Sequence, residues 1–229
     1  MIYITGDTHR THDLAKLLTF PNRDTFIKDD CVIVAGDFGG IWYGGILDED
    51  VLNLYESMPF TVLFVDGNHE NFDLLNAYPV EQWHGGKIHR IREHVLHLMR
   101  GQIYEIEGKT FFTFGGGISI DKAYRNYGTS WWPQEEPSYA ECEEALANLE
   151  AHGNKVDYII THACPKYIMR NRLCKIQKMV EADCAAENFL DEVRNRVTYN
   201  TWYFGHYHID VHLKDDNMYA LYQNAVRCV

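Results

Sequence analysis

The chain has 229 residues, 46% hydrophobic and 24% charged, which is enough apolar content for a substantial core and argues against disorder. Its formal net charge of −12 argues against extended nucleic-acid binding, which depends on Lys and Arg neutralising phosphates. No apolar run approaches the roughly 20 residues that span a bilayer.

Met1 leads directly into Ile-Tyr-Ile-Thr with no basic leader, so a cytoplasmic protein is expected, folded as one domain over residues 1–229. None of the six cysteines forms a Cys-x-x-Cys pair, and in a long chain without a leader they read as reduced thiols, Cys164 included.

In chain order, residues 2–5 form a short β-rich run that stops at Gly6-Asp7-Thr8-His9. Residues 11–20 read as a helix with Leu14, Leu17 and Leu18 on one face. Residues 31–35 are continuously apolar, as in a strand buried on both faces, and end at Gly36-Asp37. A glycine-rich loop, a helix over 47–58 ended by Pro59 and a strand over 61–65 follow, the strand running into Gly67-Asn68-His69-Glu70.

Beyond Glu70 weaker strands are expected at 87–91 and 95–98, then a pair at 102–105 and 110–114 around Glu107-Gly108. Residues 121–137 read as a long loop rich in aromatics. Ser138 to Glu141 is a capping-box pattern that opens a helix to about residue 151. Strands at 158–160 and 201–204 end at Thr161-His162 and Gly205-His206-Tyr207-His208, with helical pieces over 166–196 between them and a last strand at 218–223. The alternation predicts an α/β fold.

The five polar motifs each follow a strand. In open α/β sheets, ligands bind beyond the carboxyl ends of the strands, so five loops bring two Asp, one Asn and five His to one edge. Imidazole suits transition metals and carboxylate or amide oxygens suit harder ions, so the mixture can hold two divalent cations about 3.5–4 Å apart.

The ordered series Asp7-x-His9, Gly36-Asp37, Gly67-Asn68-His69-Glu70, His162 and Gly205-His206-x-His208 resembles the calcineurin-like metallophosphoesterases, over the stretch from Gly6 to His208. The resemblance implies an αββα sandwich of two mixed β-sheets flanked by helices, and hydrolysis of phosphate esters. It implies Asp7, His9 and His208 on one metal, Asn68, His162 and His206 on the other, and Asp37 bridging. A hydroxide shared by the two metals would be the nucleophile, with His69 as general acid or transition-state stabiliser. Manganese is the expected metal, with iron, zinc or nickel also compatible. Two divalent ions outweigh the charge of two Asp and one hydroxide, so such a site attracts phosphate inside an acidic protein. Arg10, beside the first motif, and Arg125, in the long loop, are candidate phosphate contacts, and His12 is a candidate neighbour of the first metal.

The sequence after Asp37, Phe38-Gly39-Gly40-Ile41-Trp42, lacks the Asp and Arg that the phosphoprotein phosphatases place there. That argues against a Ser/Thr protein phosphatase and leaves a small or nucleotide-like phosphate ester as the expected substrate. The competing readings are a nucleic-acid-processing phosphodiesterase or nuclease, favoured by the aromatic loop and the basic residues between Lys166 and Lys178, and a non-catalytic scaffold. Oligomeric state is not legible.

Overall fold

The computed structural model describes residues 1–20 and 23–228. Its strands are β1 (Ile2–Thr5), β2 (Cys31–Val34), β3 (Thr61–Phe64), β4 (Val80–Trp83), β5 (Gly86–Arg92), β6 (Val95–Leu98), β7 (Gln102–Ile106), β8 (Lys109–Phe114), β9 (Tyr158–Thr161), β10 (Thr201–Phe204), β11 (Val211–Leu213), β12 (Met218–Ala220) and β13 (Ala225–Arg227). The helices are α1 (Ala15–Leu18), α2 (Ile46–Glu56), α3 (Phe72–Leu75), α4 (Tyr139–Ala151), α5 (Lys166–Asn171) and α6 (Ala185–Arg196).

The strands form two mixed sheets, ordered β13-β1-β2-β3-β6-β5-β4 and β11-β12-β10-β9-β8-β7. In the first, β1, β2, β3 and β6 run parallel. In the second, β8, β9, β10 and β12 run parallel. Strand alternation builds the layers, because successive side chains leave opposite faces. Ile2, Ile4, Cys31, Ile33, Leu63 and Val65 from the first sheet meet Tyr104, Phe111, Ile160 and Tyr203 from the second. Val32, Val34, Val62 and Phe64 face the other way, onto Leu17, Val51, Leu52 and Tyr55 of α1 and α2. Phe112, Phe114, Ile159, Trp202 and Phe204 face Leu149, Ile168, Leu190 and Val193 of α4, α5 and α6. The expected αββα sandwich is the fold.

Several boundaries differ from the sequence expectation. The first helix is only four residues long because the backbone before it is already committed. Thr8 and His9 N–H donate to Asp37 O, and Arg10 N–H donates to Phe38 O. The expected last strand stops at Ala220 because the N–H groups of Tyr222, Gln223 and Asn224 all donate to the Asp210 carboxylate, which turns the chain out of the sheet. Strands β4, β11 and β13 lie at or beside sheet edges and are short, so their sequence signal is weak.

The capping box at α4 is complete. The Ser138 hydroxyl accepts from Glu141 N–H, and the Glu141 carboxylate accepts from Ser138 N–H. Ser138→Ala is expected to lower stability by about 1 kcal/mol in urea unfolding, with metal content unchanged.

Candidate metal centre

The five loops are tied to one another at the carboxyl edge of β1, β2, β3, β9 and β10. His69 N–H donates to Asp37 Oδ1 (2.7 Å) and His206 N–H donates to Asp7 Oδ1 (3.0 Å). Gly205 N–H donates to His162 O (3.0 Å). The glycines of three motifs make room for the side chain of another motif. A Cβ on Gly36 would lie 2.0 Å from His162 Nδ1, on Gly67 2.1 Å from Asp37 Oδ1, and on Gly205 2.2 Å from Asp7 Oδ1.

The close approach carries backbone strain. His9 (φ 41°), Asp37 (φ 47°), His206 (φ 68°) and His208 (φ 49°) all sit in the left-handed region that L-residues avoid. Tyr207 anchors the last two. It lies between them in sequence, is buried, and donates its hydroxyl to Glu187 Oε1 (2.9 Å), while Lys166 pairs with Glu187 Oε2 (2.8 Å). The two imidazoles flanking it are thereby held towards the centre.

Asp7, His9, Asp37 and His208 each offer one donor atom, all within 4.8 Å of one another. Asp7 and Asp37 are 0% and 1% exposed, and buried carboxylates require a cationic counterpart. Asp7 Oδ2 accepts no well-aligned hydrogen bond, although His208 Nε2 stands 3.1 Å away. Burial alone would raise the Asp37 carboxyl, but His162 and His9 pull it well below the usual carboxylate range. Reciprocally, burial opposes protonation of His9, yet Asp37 overcomes it and raises His9 to about 9.

A second group adjoins the first. His162 Nδ1 lies 2.9 Å from Ala35 O, which can only accept, so Nδ1 carries a proton and Nε2 is the atom turned to the centre. Around Nε2 stand Asn68 Oδ1 (3.0 Å), His206 Nδ1 (3.1 Å) and Asp37 Oδ1 (3.3 Å). Acceptors converging this closely repel unless a proton or cation lies among them. Burial and His162 push the His206 imidazole down to about 3, so it favours the neutral form a metal ligand needs. Both donor sets fit divalent cations.

His69 faces the same space. Its ring is lowered by burial, and Arg125 Nη2 donates to its Nε2 (3.0 Å). Arg125 is itself held by Asp121 Oδ1 (2.7 Å) and Ser130 O (3.3 Å). Arg10 does not line this space. Its Nη1 donates to Asp48 Oδ1 (2.7 Å), a carboxylate that also gathers the N–H groups of Trp42, Tyr43 and Gly44.

A cavity of about 660 Å³ opens onto Asp37, Asn68, His69, His206 and His208. Ile118, Ile120, Met169, Met179 and Val180 give it an apolar wall, and Arg125, Gln177 and Lys178 give it polar groups.

Sequence reasoning missed Asp13. Its Oδ2 lies 2.7 Å from His9 Nδ1, and its Oδ1 accepts from Tyr222 Oη and Gln223 Nε2. The i,i+4 spacing from His9 was the available signal. His12, the residue expected there, is exposed. It missed Lys16 as well, whose ammonium donates to the carbonyls of Gly6, Asp7 and Tyr222 and is pushed down to about 8 by burial. Neither Trp42 nor Trp132 is poised for stacking on a ligand. Their rings pack edge to face 5.7 Å apart, and Trp132 Nε1 donates to Asp73.

A carboxylate behind a ligating imidazole fixes its tautomer and raises its basicity. Asp13→Ala is expected to weaken divalent-metal binding about 10–100-fold by isothermal titration, without unfolding the protein.

The chain matches the family model described as calcineurin-like phosphoesterase over residues 1–210. No curated protein matches it. Among solved structures it is similar to a candidate 5′-nucleotidase from Staphylococcus aureus in complex with alpha-ketoglutarate, at 13% identity and TM-score 0.49, covering 96% of this chain and 48% of that one. The chain thus spans about half the length of that protein. It is also similar to the calcineurin-like phosphoesterase YfkN from Bacillus subtilis, at 12% identity and TM-score 0.45, covering 96% of this chain and 80% of the other. A family match over most of the chain, on a two-sheet sandwich whose strand ends carry clustered Asp and His, makes this protein a member of the calcineurin-like phosphoesterase family.

Proposed function

We propose that the protein hydrolyses small organic phosphate esters at a two-metal centre. The observation that carries this is the pair of adjoining donor sets sharing Asp37: Asp7, His9 and His208 on one side, Asn68, His162 and His206 on the other. Two divalent cations, manganese first and iron, zinc or nickel as alternatives, would supply Lewis acidity, ionising water near neutral pH and neutralising phosphate oxygens.

The chain's own residues then divide the work. Asp37 carries one oxygen towards each donor set, Oδ2 near His9 (3.3 Å) and Oδ1 near His162 (3.3 Å). Arg125 Nη2 donates to His69 Nε2, so a phosphoryl oxygen entering between them would take the Arg125 donor and leave the His69 ring free to carry a proton. His69 protonates the departing ester oxygen. The apolar wall from Ile118 to Val180 accommodates the organic part of the ester, and Lys178 has no ion-pair partner among the described residues.

The cavity's size fits a small molecule. In the basic segment Lys166 pairs with Glu187, Arg170 with Glu181 and Arg172 with Asp216, which favours a small ester over a polynucleotide. No helix among the described residues is long and apolar enough to cross a membrane.

Chelation is expected to abolish turnover of p-nitrophenyl phosphate and added Mn²⁺ to restore it. Asp37→Asn is expected to lose both metal and turnover, and retention of both would overturn the reading. Arg125→Ala is expected to lower kcat/KM for the monoester about 10–100-fold, the worth of one charge-assisted hydrogen bond. The loss on bis-p-nitrophenyl phosphate, with one charge fewer at phosphorus, is expected to be smaller.

A further inference from the structure

His208 is the most exposed member of the first donor set. Its side chain is 49% exposed, and its Nε2 stands 3.1 Å from Asp7 Oδ2. A half-exposed side chain keeps rotamer freedom that metal binding must remove, unless a neighbour has already removed it. His9, the other imidazole of the set, has Asp13 behind it, with Oδ2 2.7 Å from His9 Nδ1. Tyr222 touches both arrangements. Its ring lies parallel to the His208 ring, with centroids 4.6 Å apart and planes 12° apart. Its hydroxyl donates to Asp13 Oδ1 (3.1 Å).

The backbone of Tyr222 is fixed at three points. Its N–H donates to Asp210 Oδ1 (2.9 Å), two residues beyond His208. Its carbonyl accepts from the Lys16 ammonium, which also donates to Gly6 O (3.0 Å) and Asp7 O. Its Cα lies against Gly6, where an added Cβ would come within 2.7 Å of it and within 2.1 Å of Leu221 O. The first motif, through Gly6 and Lys16, and the last motif, through Asp210, therefore aim the ring together. Lys16 and the glycine of the first motif both serve this seating.

We propose, on the two-metal reading above, that Tyr222 is a positioning residue for the first metal: its ring holds the His208 imidazole and its hydroxyl holds Asp13 against His9. Partners that orient a ligand tune metal affinity without touching the ion. None of the hydrogen bonds and ring contacts that Tyr222 makes among the described residues reaches Asn68, His162 or His206, so the second donor set is left as it is. Phenylalanine in its place keeps the ring and drops the hydroxyl, and leucine drops both, which separates the two contributions.

The test is calorimetric Mn²⁺ titration of the metal-free wild type, of Tyr222→Phe, Tyr222→Leu and Asp13→Ala, and of the double variant Asp13→Ala with Tyr222→Phe, each checked for folding by circular dichroism. The wild type is expected to take two ions. Tyr222→Phe is expected to bind one of them about 2–10-fold more weakly, the worth of one hydrogen bond. Tyr222→Leu is expected to bind the same ion about 10–100-fold more weakly, with the other ion at wild-type affinity. In the Asp13→Ala background, Tyr222→Phe is expected to change nothing further, because the hydroxyl has lost its partner. A tyrosine that only fills space would show no such coupling to Asp13. Should Tyr222→Leu fail to fold, the cycle between Tyr222→Phe and Asp13→Ala decides alone. Wild-type affinity for both ions in Tyr222→Phe, equal weakening of both ions, or full additivity with Asp13→Ala overturns the assignment while the two-metal reading stands. A wild type that takes fewer than two ions overturns the two-metal reading, and the assignment with it.

Discussion

The structure is organised around two carboxylates that are almost wholly buried. Asp7 and Asp37 are buried at the carboxyl edge of the first sheet, where an isolated anion would cost several kcal/mol. Their compensation comes from every direction. Backbone N–H groups arrive from His69 and His206, and imidazoles arrive from His9, His162 and His208. The Lys16 ammonium sits on the Asp7 carbonyl. The donors His9, His69, His162, His206 and His208 come from four loops and Asp37 lies on a fifth, so satisfying the two anions pins five strand ends together. The left-handed backbone at four of these positions is the local strain set against that gain.

The long loop after β8 does two jobs with one backbone. Gly115 to Gly117 pass close to the donor residues, where a Cβ on Gly115 would lie 2.1 Å from Asp66 Oδ1. Asp66 is paired with Arg100 (2.5 Å), which also donates to Gln134 O, so the base of the loop is fastened at both ends. From that base, Ser119 meets the Asn68 amide while Arg125 reaches His69, so one segment touches both the candidate metal centre and the cavity beside it.

Much of this was legible in the sequence, for physical reasons. The apolar run Cys31–Val34 could only be a strand covered on both faces, and it is wholly buried. The capping box at Ser138 set the start of α4 to the residue. Gly-Asp, Gly-Asn-His and Gly-His-x-His were readable because small residues must precede side chains packed against a neighbouring loop. What escaped reading depends on contacts between residues remote in sequence. Arg10 and Arg125 are indistinguishable as exposed arginines in a string of letters, and only the fold shows Asp48 taking one while the other meets His69. Asp13 was within reach, four residues from His9, whereas Tyr222 had no local signal at all.

The bond from His206 N–H to Asp7 Oδ1 joins residues 199 apart, and Lys16 reaches Tyr222 across 206. Strand β1 is likewise flanked by β2 and by β13, so the first strand is closed in only by one of the last. Contacts of such long range bear the full entropy of loop closure and form late in folding. Until the segment after β10 is in place, Asp7 lacks both the His206 N–H and the His208 imidazole. The first donor set is thus complete only when both ends of the chain are in place.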